Sequence, residues 1–265
     1  MKHTKKCRAM VIRTAGTNCD TETVYALRQV GAQTDLVHIN EIFSKKVQLE
    51  KYSFLIIPGG FSYGDDIASG RVFANQFAFR IGDQVKEFVK QGKLILGICN
   101  GFQVLVKSGF LPGNNINNLV QTVSLSYNDS DKFEDRWIYL KKNSKTCVFT
   151  KDLPDTIFLP VAHAEGKFMY TNEVVGMRLL DEHQVVFQYV DSNGKAVGYP
   201  GNPNGSLDDI AGICNRQGTV MGMMPHPERY ISKYQHPRWT REHLPEEGVG
   251  LQIFKNAVTY IRENL

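Results

Sequence analysis

Apolar residues fall into two kinds of run along the first hundred or so positions. Short stretches that are apolar at consecutive positions, RAMVIRT (8–14), TDLVHI (34–39), FLII (54–57) and LILGI (94–98), alternate with longer ones that are apolar at helical spacing, TETVYALRQVG (21–31), ANQFAFRIGDQVKEFVKQG (74–92) and GFQVLVKSG (101–109). A strand that is apolar on consecutive residues is buried on both faces, which requires a parallel sheet covered by helices on both sides. The pattern therefore predicts an α/β fold built on a doubly wound, mostly parallel sheet with helices on both faces.

From about residue 118 the rhythm changes. NLVQTVSLSYN (118–128), RWIYLKKN (136–143), TIFLPVAHAEGKFMY (156–170) and HQVVFQYVD (183–191) are short β-rich runs separated by turn signals such as Ser192-Asn193-Gly194, and they predict hairpins added to the core. YPGNPNGSLDDIAG (199–212) is too rich in Gly, Pro and Asn for a helix or strand. VGLQIFKNAVTYIREN (249–264) returns to helical spacing and is expected to close the sheet. There is no internal repeat, and residues 1–265 read as one domain.

Composition adds mainly exclusions. With 265 residues, 42% hydrophobic and 22% charged, the chain can bury one large core. The charge of +4 is spread without a basic block, so neither nucleic acid nor an anionic membrane is indicated as a partner. The first residues lack a leader's apolar core and no apolar stretch reaches the length of a membrane span, so the expected location is the cytoplasm. Five cysteines without CxxC spacing point to neither a disulfide framework nor a zinc site. No G-x-x-x-x-G-K and no strand-led G-x-G-x-x-G occurs, so no nucleotide site or bound cofactor is expected.

One cysteine stands apart. In LILGICNGFQVLVKSG, Cys99 is placed where a strand gives way to a helix, between Gly97 and Gly101. A nucleophile there gains exposure at the sheet edge, backbone N–H donors and the positive end of the helix dipole, while the flanking glycines keep a tight turn free of side chains. Downstream, GMMPHPERY sets His226 and Glu228 two residues apart around Pro227. The prolines should hold this segment in an extended path that points both side chains the same way, with Glu228 on one imidazole nitrogen and the thiol facing the other. Cys7, Cys147 and Cys214 lie in strand-like runs and are read as structural, and Cys19 as packing at the start of a helix.

The elbow GICNGFQ followed by PHPE is similar to the triad class of glutamine amidotransferases. IIPGGFSYGDDIASGRVFANQ, AGTNCDTET, VAHAEGKF, NPNGS and MGMMPHPER, spread from residue 9 to about 230, narrow the resemblance to the glutaminase subunits of phosphoribosylformylglycinamidine synthase. That resemblance implies a flavodoxin-like class I amidotransferase fold. It makes Cys99 the nucleophile on the glutamine side-chain amide, His226 the general base and acid, and Glu228 its orienter, with the backbone N–H groups of Gly60 and Asn100 as oxyanion donors. It places Gln103, His163 and Glu165 at the glutamine pocket and implies no metal in this chain. Ammonia would pass to a synthetase subunit that holds ATP and magnesium and converts formylglycinamide ribonucleotide to formylglycinamidine ribonucleotide, with room for a third, small bridging subunit. The isolated chain would then be a poor glutaminase. Ala15 and Ala164 depart from the family pattern, and 232–250 is an extra segment read as an interface arm. Two other readings stay open on the residues alone: a cysteine hydrolase or peptidase of related fold, and a catalytically silent flavodoxin-like binding module.

Overall fold

A computed structural model describes residues 6–265. The alternating pattern of the first hundred residues folds as β1 (Arg8–Arg13), α1 (Asp20–Gln29), β2 (Gln33–His38), the short α2 (Ile39–Phe43), β3 (Phe54–Ile57), α3 (Arg71–Lys90), β4 (Leu94–Ile98) and α4 (Asn100–Lys107). The remainder forms β5 (Val123–Ser126), β6 (Glu134–Lys142), β7 (Thr156–His163), β8 (Lys167–Tyr170), α5 (Glu173–Asp181), β9 (Val185–Val190), β10 (Ile210–Cys214), β11 (Val220–Met223) and α6 (Gly250–Asn264).

Nine strands share one sheet in the order β2-β1-β3-β4-β11-β10-β9-β6-β7. The first five run parallel, and the last four continue the same sheet in antiparallel pairings. Every residue of β3 and β4 is buried, as their uninterrupted apolar runs require. The chain moves outward from β1 to β2, then reverses across β1 to β3 and β4. Right-handed crossovers in opposite directions put their helices on opposite faces. Accordingly α1 packs with α6, and α3 packs with α2 and α4.

The run 156–170 departs from a simple hairpin. β7 pairs with β6 in the main sheet, whereas β8 pairs with β5 in a separate two-stranded sheet. The turn at residues 164–166 carries the chain from one to the other, and β8 lays Phe168 flat against Phe102 of α4, with ring centroids 6.3 Å apart. The segment 232–250 is an irregular arm with one bridge, Ser232 to Glu247. It is pinned where His236 packs among Trp137, Phe158 and Tyr230. Among the described residues no helix is long and apolar enough to cross a membrane.

Candidate active site

Parallel strands end on one edge, so the loops leaving β1, β3, β4 and β11 meet there, at the point where the strand order reverses. Cys99 follows β4 directly. Its backbone sits at φ 51°, ψ −104°, outside the regions that a residue with a side chain ordinarily adopts. Two contacts fix it there: its N–H donates to Met223 O on β11 at 2.8 Å, and its carbonyl accepts from Gln103 N in the first turn of α4 at 3.1 Å. The flanking glycines are steric necessities. A Cβ on Gly101 would lie 1.8 Å from the Ile57 carbonyl oxygen, and one on Gly97 would lie 2.6 Å from the Gly101 carbonyl oxygen.

His226 arrives from β11. Its N–H donates to Pro160 O at 2.9 Å. The extended path ends at His226 itself, and Pro227 opens a single 3-10 turn over Pro227–Arg229. Glu228 nevertheless reaches back, with Oε1 2.6 Å from His226 Nδ1, and both groups are almost fully buried. Burial opposes a charge on the ring, but the Glu228 carboxylate first, then negative charge on the Cys99 sulfur and the nearby Cys19 sulfur outweigh it and hold the His226 pKa well above the ordinary histidine range. Thiol and imidazole are neighbours, but no well-formed hydrogen bond joins them. Cys99 Sγ donates to Ala162 O at 3.6 Å, while His226 Nε2 is buried without a hydrogen-bond partner. Catalytic hydrogen bonds are commonly long or misaligned before substrate binds.

Gly60 follows β3 on the loop beside the elbow, at φ 136° and bridged to Thr17, and Asn100 opens α4. Beyond it the chain runs through a turn in which Tyr63, Asp65 and Ile67 all have positive φ. A buried polar network holds this turn. Asn100 Nδ2 donates to Asp65 Oδ1 (3.0 Å) and to Gln103 Oε1 (3.0 Å), and Gln103 Nε2 donates to Glu165 O (2.6 Å). The Glu165 carboxylate accepts from Ser69 N at 3.1 Å and pairs with buried Lys107 at 3.7 Å.

His163 is enclosed differently. Its Nδ1 lies 3.1 Å from Asn128 Oδ1 and its Nε2 lies 3.4 Å from Asn204 Nδ2. Asn128 cannot turn over, because its Nδ2 already donates to the Lys132 and His163 carbonyls. Asn204 is fixed likewise, since its Oδ1 accepts from Ser206 N and Oγ while its Nδ2 donates to the Tyr189 hydroxyl. The ring is therefore a donor at Nδ1 and an acceptor at Nε2, the neutral tautomer, and burial together with the charge on His226 pushes its pKa down to about 3. Both ring nitrogens are taken. Ala15 and Ala164, the departures from the family pattern, offer carbonyls to Tyr63 N and Asn128 N.

Cys19 packs at the start of α1 as its sequence position suggests, but its place beside the His226–Glu228 pair, and that of Arg229, were not foreseen. Cys19, in the loop after β1, is buried beside His226 and Glu228, and Arg229 Nη2 donates to its sulfur at 3.2 Å while Arg229 Nε pairs with Glu22 at 3.0 Å.

Residues 6–261 match the family described as CobB/CobQ-like glutamine amidotransferase domain, which sets the class. Among named relatives, "Phosphoribosylformylglycinamidine synthase subunit PurQ" of Dehalococcoides mccartyi is 46% identical over 97% of this chain and 99% of its own. The protein of the same name from Archaeoglobus fulgidus is 43% identical over 98% of each. A chain of the PurLQS structure from Thermotoga maritima superposes with a TM-score of 0.73 at 31% identity, covering 97% of this chain and 99% of that one. A glutamine amidotransferase from the same organism, 16% identical with a TM-score of 0.57 and covering 98% of this chain and 100% of that one, shares the fold. The chain belongs to this glutamine amidotransferase family, and within it to the PurQ subunits of phosphoribosylformylglycinamidine synthase.

Proposed function

We propose that this chain is the glutaminase subunit of phosphoribosylformylglycinamidine synthase and that Cys99, His226 and Glu228 carry its chemistry. The observation that supports this best is the strained Cys99 elbow on the same sheet edge as a buried His226–Glu228 pair, in a chain of PurQ kinship along almost its whole length. Glu228 holds Nδ1 and leaves Nε2 as the nitrogen that serves the thiol. The thiolate adds to the side-chain amide carbon of L-glutamine, and the oxyanion that forms is met by the N–H groups of Gly60 and Asn100, each such donor being worth about 10² to 10³ in rate. His226 gives its proton to the leaving ammonia. Water then cleaves the γ-glutamyl thioester with His226 as base and releases glutamate.

Ammonia passes to a synthetase subunit that binds ATP and magnesium and converts formylglycinamide ribonucleotide to formylglycinamidine ribonucleotide. In that assembly a third small subunit bridges the two. Gln103, His163 and Glu165 act in this reading by positioning the elbow and the 62–70 turn around the glutamine, since their polar groups are engaged with protein. The thiol turned toward Ala162 is the resting state of a site that the partner completes, with the 232–250 arm as a contact. Five free thiols fit a reducing cytoplasm. Reconstitution with the synthetase, ATP and substrate tests the assignment: Cys99→Ser should abolish glutamine-dependent synthesis and spare ammonia-dependent synthesis. Equal loss of both, or of neither, would sink it.

A further inference from the structure

Two oxyanion donors must stand a fixed distance apart, yet Gly60 and Asn100 come from segments that follow different strands, β3 and β4. At their base the two segments are held by backbone packing, so close that a Cβ on Gly101 would lie 1.8 Å from the Ile57 carbonyl oxygen. Farther out, among the described residues, one hydrogen bond joins residues 58–70 to the first turn of α4: Asn100 Nδ2 donates to Asp65 Oδ1 at 3.0 Å. Asp65 is the hub of its turn. Its Oδ1 also accepts from Gly70 N at 3.2 Å and its Oδ2 from Ser69 Oγ at 2.9 Å, so all three partners are neutral donors. Asp65 stands at φ 53°, between Tyr63 at 56° and Ile67 at 72°, conformations that persist only where the surroundings over-determine them. The direction of the bond to Asn100 is fixed as well. The other hydrogen of Asn100 Nδ2 goes to Gln103 Oε1 at 3.0 Å, and Gln103 cannot turn over because its Nε2 donates to Glu165 O at 2.6 Å.

We propose that Asp65 is a positioning residue of the glutaminase reaction: by accepting from the Asn100 side chain it sets the spacing between the Gly60 and Asn100 N–H groups that receive the oxyanion. This role presupposes the glutaminase reading. Asp65 acts through Asn100 and not on the glutamine. Because its partners are neutral donors, the role requires acceptance and not charge. An asparagine at 65 preserves it, with Oδ1 toward Asn100 and Gly70 and Nδ2 toward Ser69 Oγ, which can accept. A glycine removes every one of these bonds, yet it suits a φ of 53° better than aspartate does. The two substitutions therefore separate the hydrogen bonds from the backbone conformation.

The test compares wild type, Asp65→Gly, Asp65→Asn and Asn100→Ala in the reconstituted complex, with ammonia-dependent synthesis as the measure of assembly. Iodoacetamide modification of Cys99, followed by peptide mapping, reports on the elbow separately, because displacement at a saturated carbon forms no oxyanion. Asp65→Gly should lower kcat for glutamine by about tenfold to a hundredfold, the scale of a misplaced oxyanion donor, with KM for glutamine within about threefold. Asp65→Asn should recover most of that kcat, and Cys99 should be alkylated at the wild-type rate in both. Full kcat in Asp65→Gly, a loss that Asp65→Asn does not recover, a loss confined to KM, or alkylation that falls in step with kcat would each overturn the role. Asn100→Ala breaks the same bond from the other side while keeping its backbone N–H, so it should match Asp65→Gly, and the double variant should lose no more than either. Additive losses would overturn the role, and so would undiminished kcat in Asn100→Ala if Asp65→Gly failed to fold. A wild-type complex that makes product from ammonia but not from glutamine would defeat the glutaminase reading and the role with it, whereas an active wild type beside an unimpaired Asp65→Gly defeats the role alone.

Discussion

Because His163 is buried as a neutral acceptor and donor, the fold should be selectively sensitive to acid at this one residue. Protonation would set an Nε2–H against the Nδ2–H of Asn204, and neither asparagine can turn over to relieve the clash. The sign follows from linkage. With a folded pKa of about 3 and an ordinary value of 6.5, the unfolded chain binds the additional proton between those limits, so stability is lost as pH falls below about 6.5. At pH 5 the single group accounts for about 2 kcal/mol, from one and a half pH steps at 1.36 kcal/mol each. Carboxylates also titrate in this range, so the comparison must be differential. Urea unfolding of wild type and His163→Gln at pH 7.5 and pH 5 isolates the term: the variant is less stable at pH 7.5, but the gap should narrow or reverse by about 2 kcal/mol at pH 5. Parallel pH dependence in the two proteins would refute the neutral assignment, as would an NMR titration placing the His163 pKa near 6.5.

Gly101→Ala places a Cβ 1.8 Å from the Ile57 carbonyl, where backbone cannot yield cheaply, and should destabilise by about 3 kcal/mol or more; a melting temperature within two degrees of wild type would contradict that account of the elbow. Lys107→Met removes the buried cation that faces Glu165 and should cost about 3 kcal/mol, because the carboxylate stays buried with only the Ser69 amide opposite it. Thermal unfolding reads this directly, and the double variant Lys107→Met/Glu165→Gln should recover a large part of the loss.

What was legible in the sequence was what local chemistry dictates. The βα rhythm follows from runs apolar on every position, and the elbow follows from a cysteine whose glycine neighbours are required by contacts a few residues away in space. The Glu228 contact was also local, although the expected extended path gives way to a 3-10 turn at Pro227. The pairing of β8 with β5 was not legible, since nothing near residues 164–166 encodes the partner across forty residues of chain. Helix α5 was overlooked despite a signal: Asn172 accepts from Val175 N as an N-cap, with Glu173 in the first turn.

Cys19 shows why the remainder of the site was hidden. In sequence it is a cysteine before a helix, indistinguishable from one that merely packs. It meets His226 only because β1 and β11 point the same way, which brings the loops after them to one edge although more than two hundred residues separate them. A parallel sheet converts order along the chain into proximity at strand ends, so the residues that adjoin the buried His226–Glu228 pair come from segments with no local mark of that position. The thiol and imidazole illustrate the same limit in a finer way. Sequence brings Cys99 and His226 into candidacy together, but which partner Sγ takes, here the Ala162 carbonyl, is set by packing that no pattern of residues records.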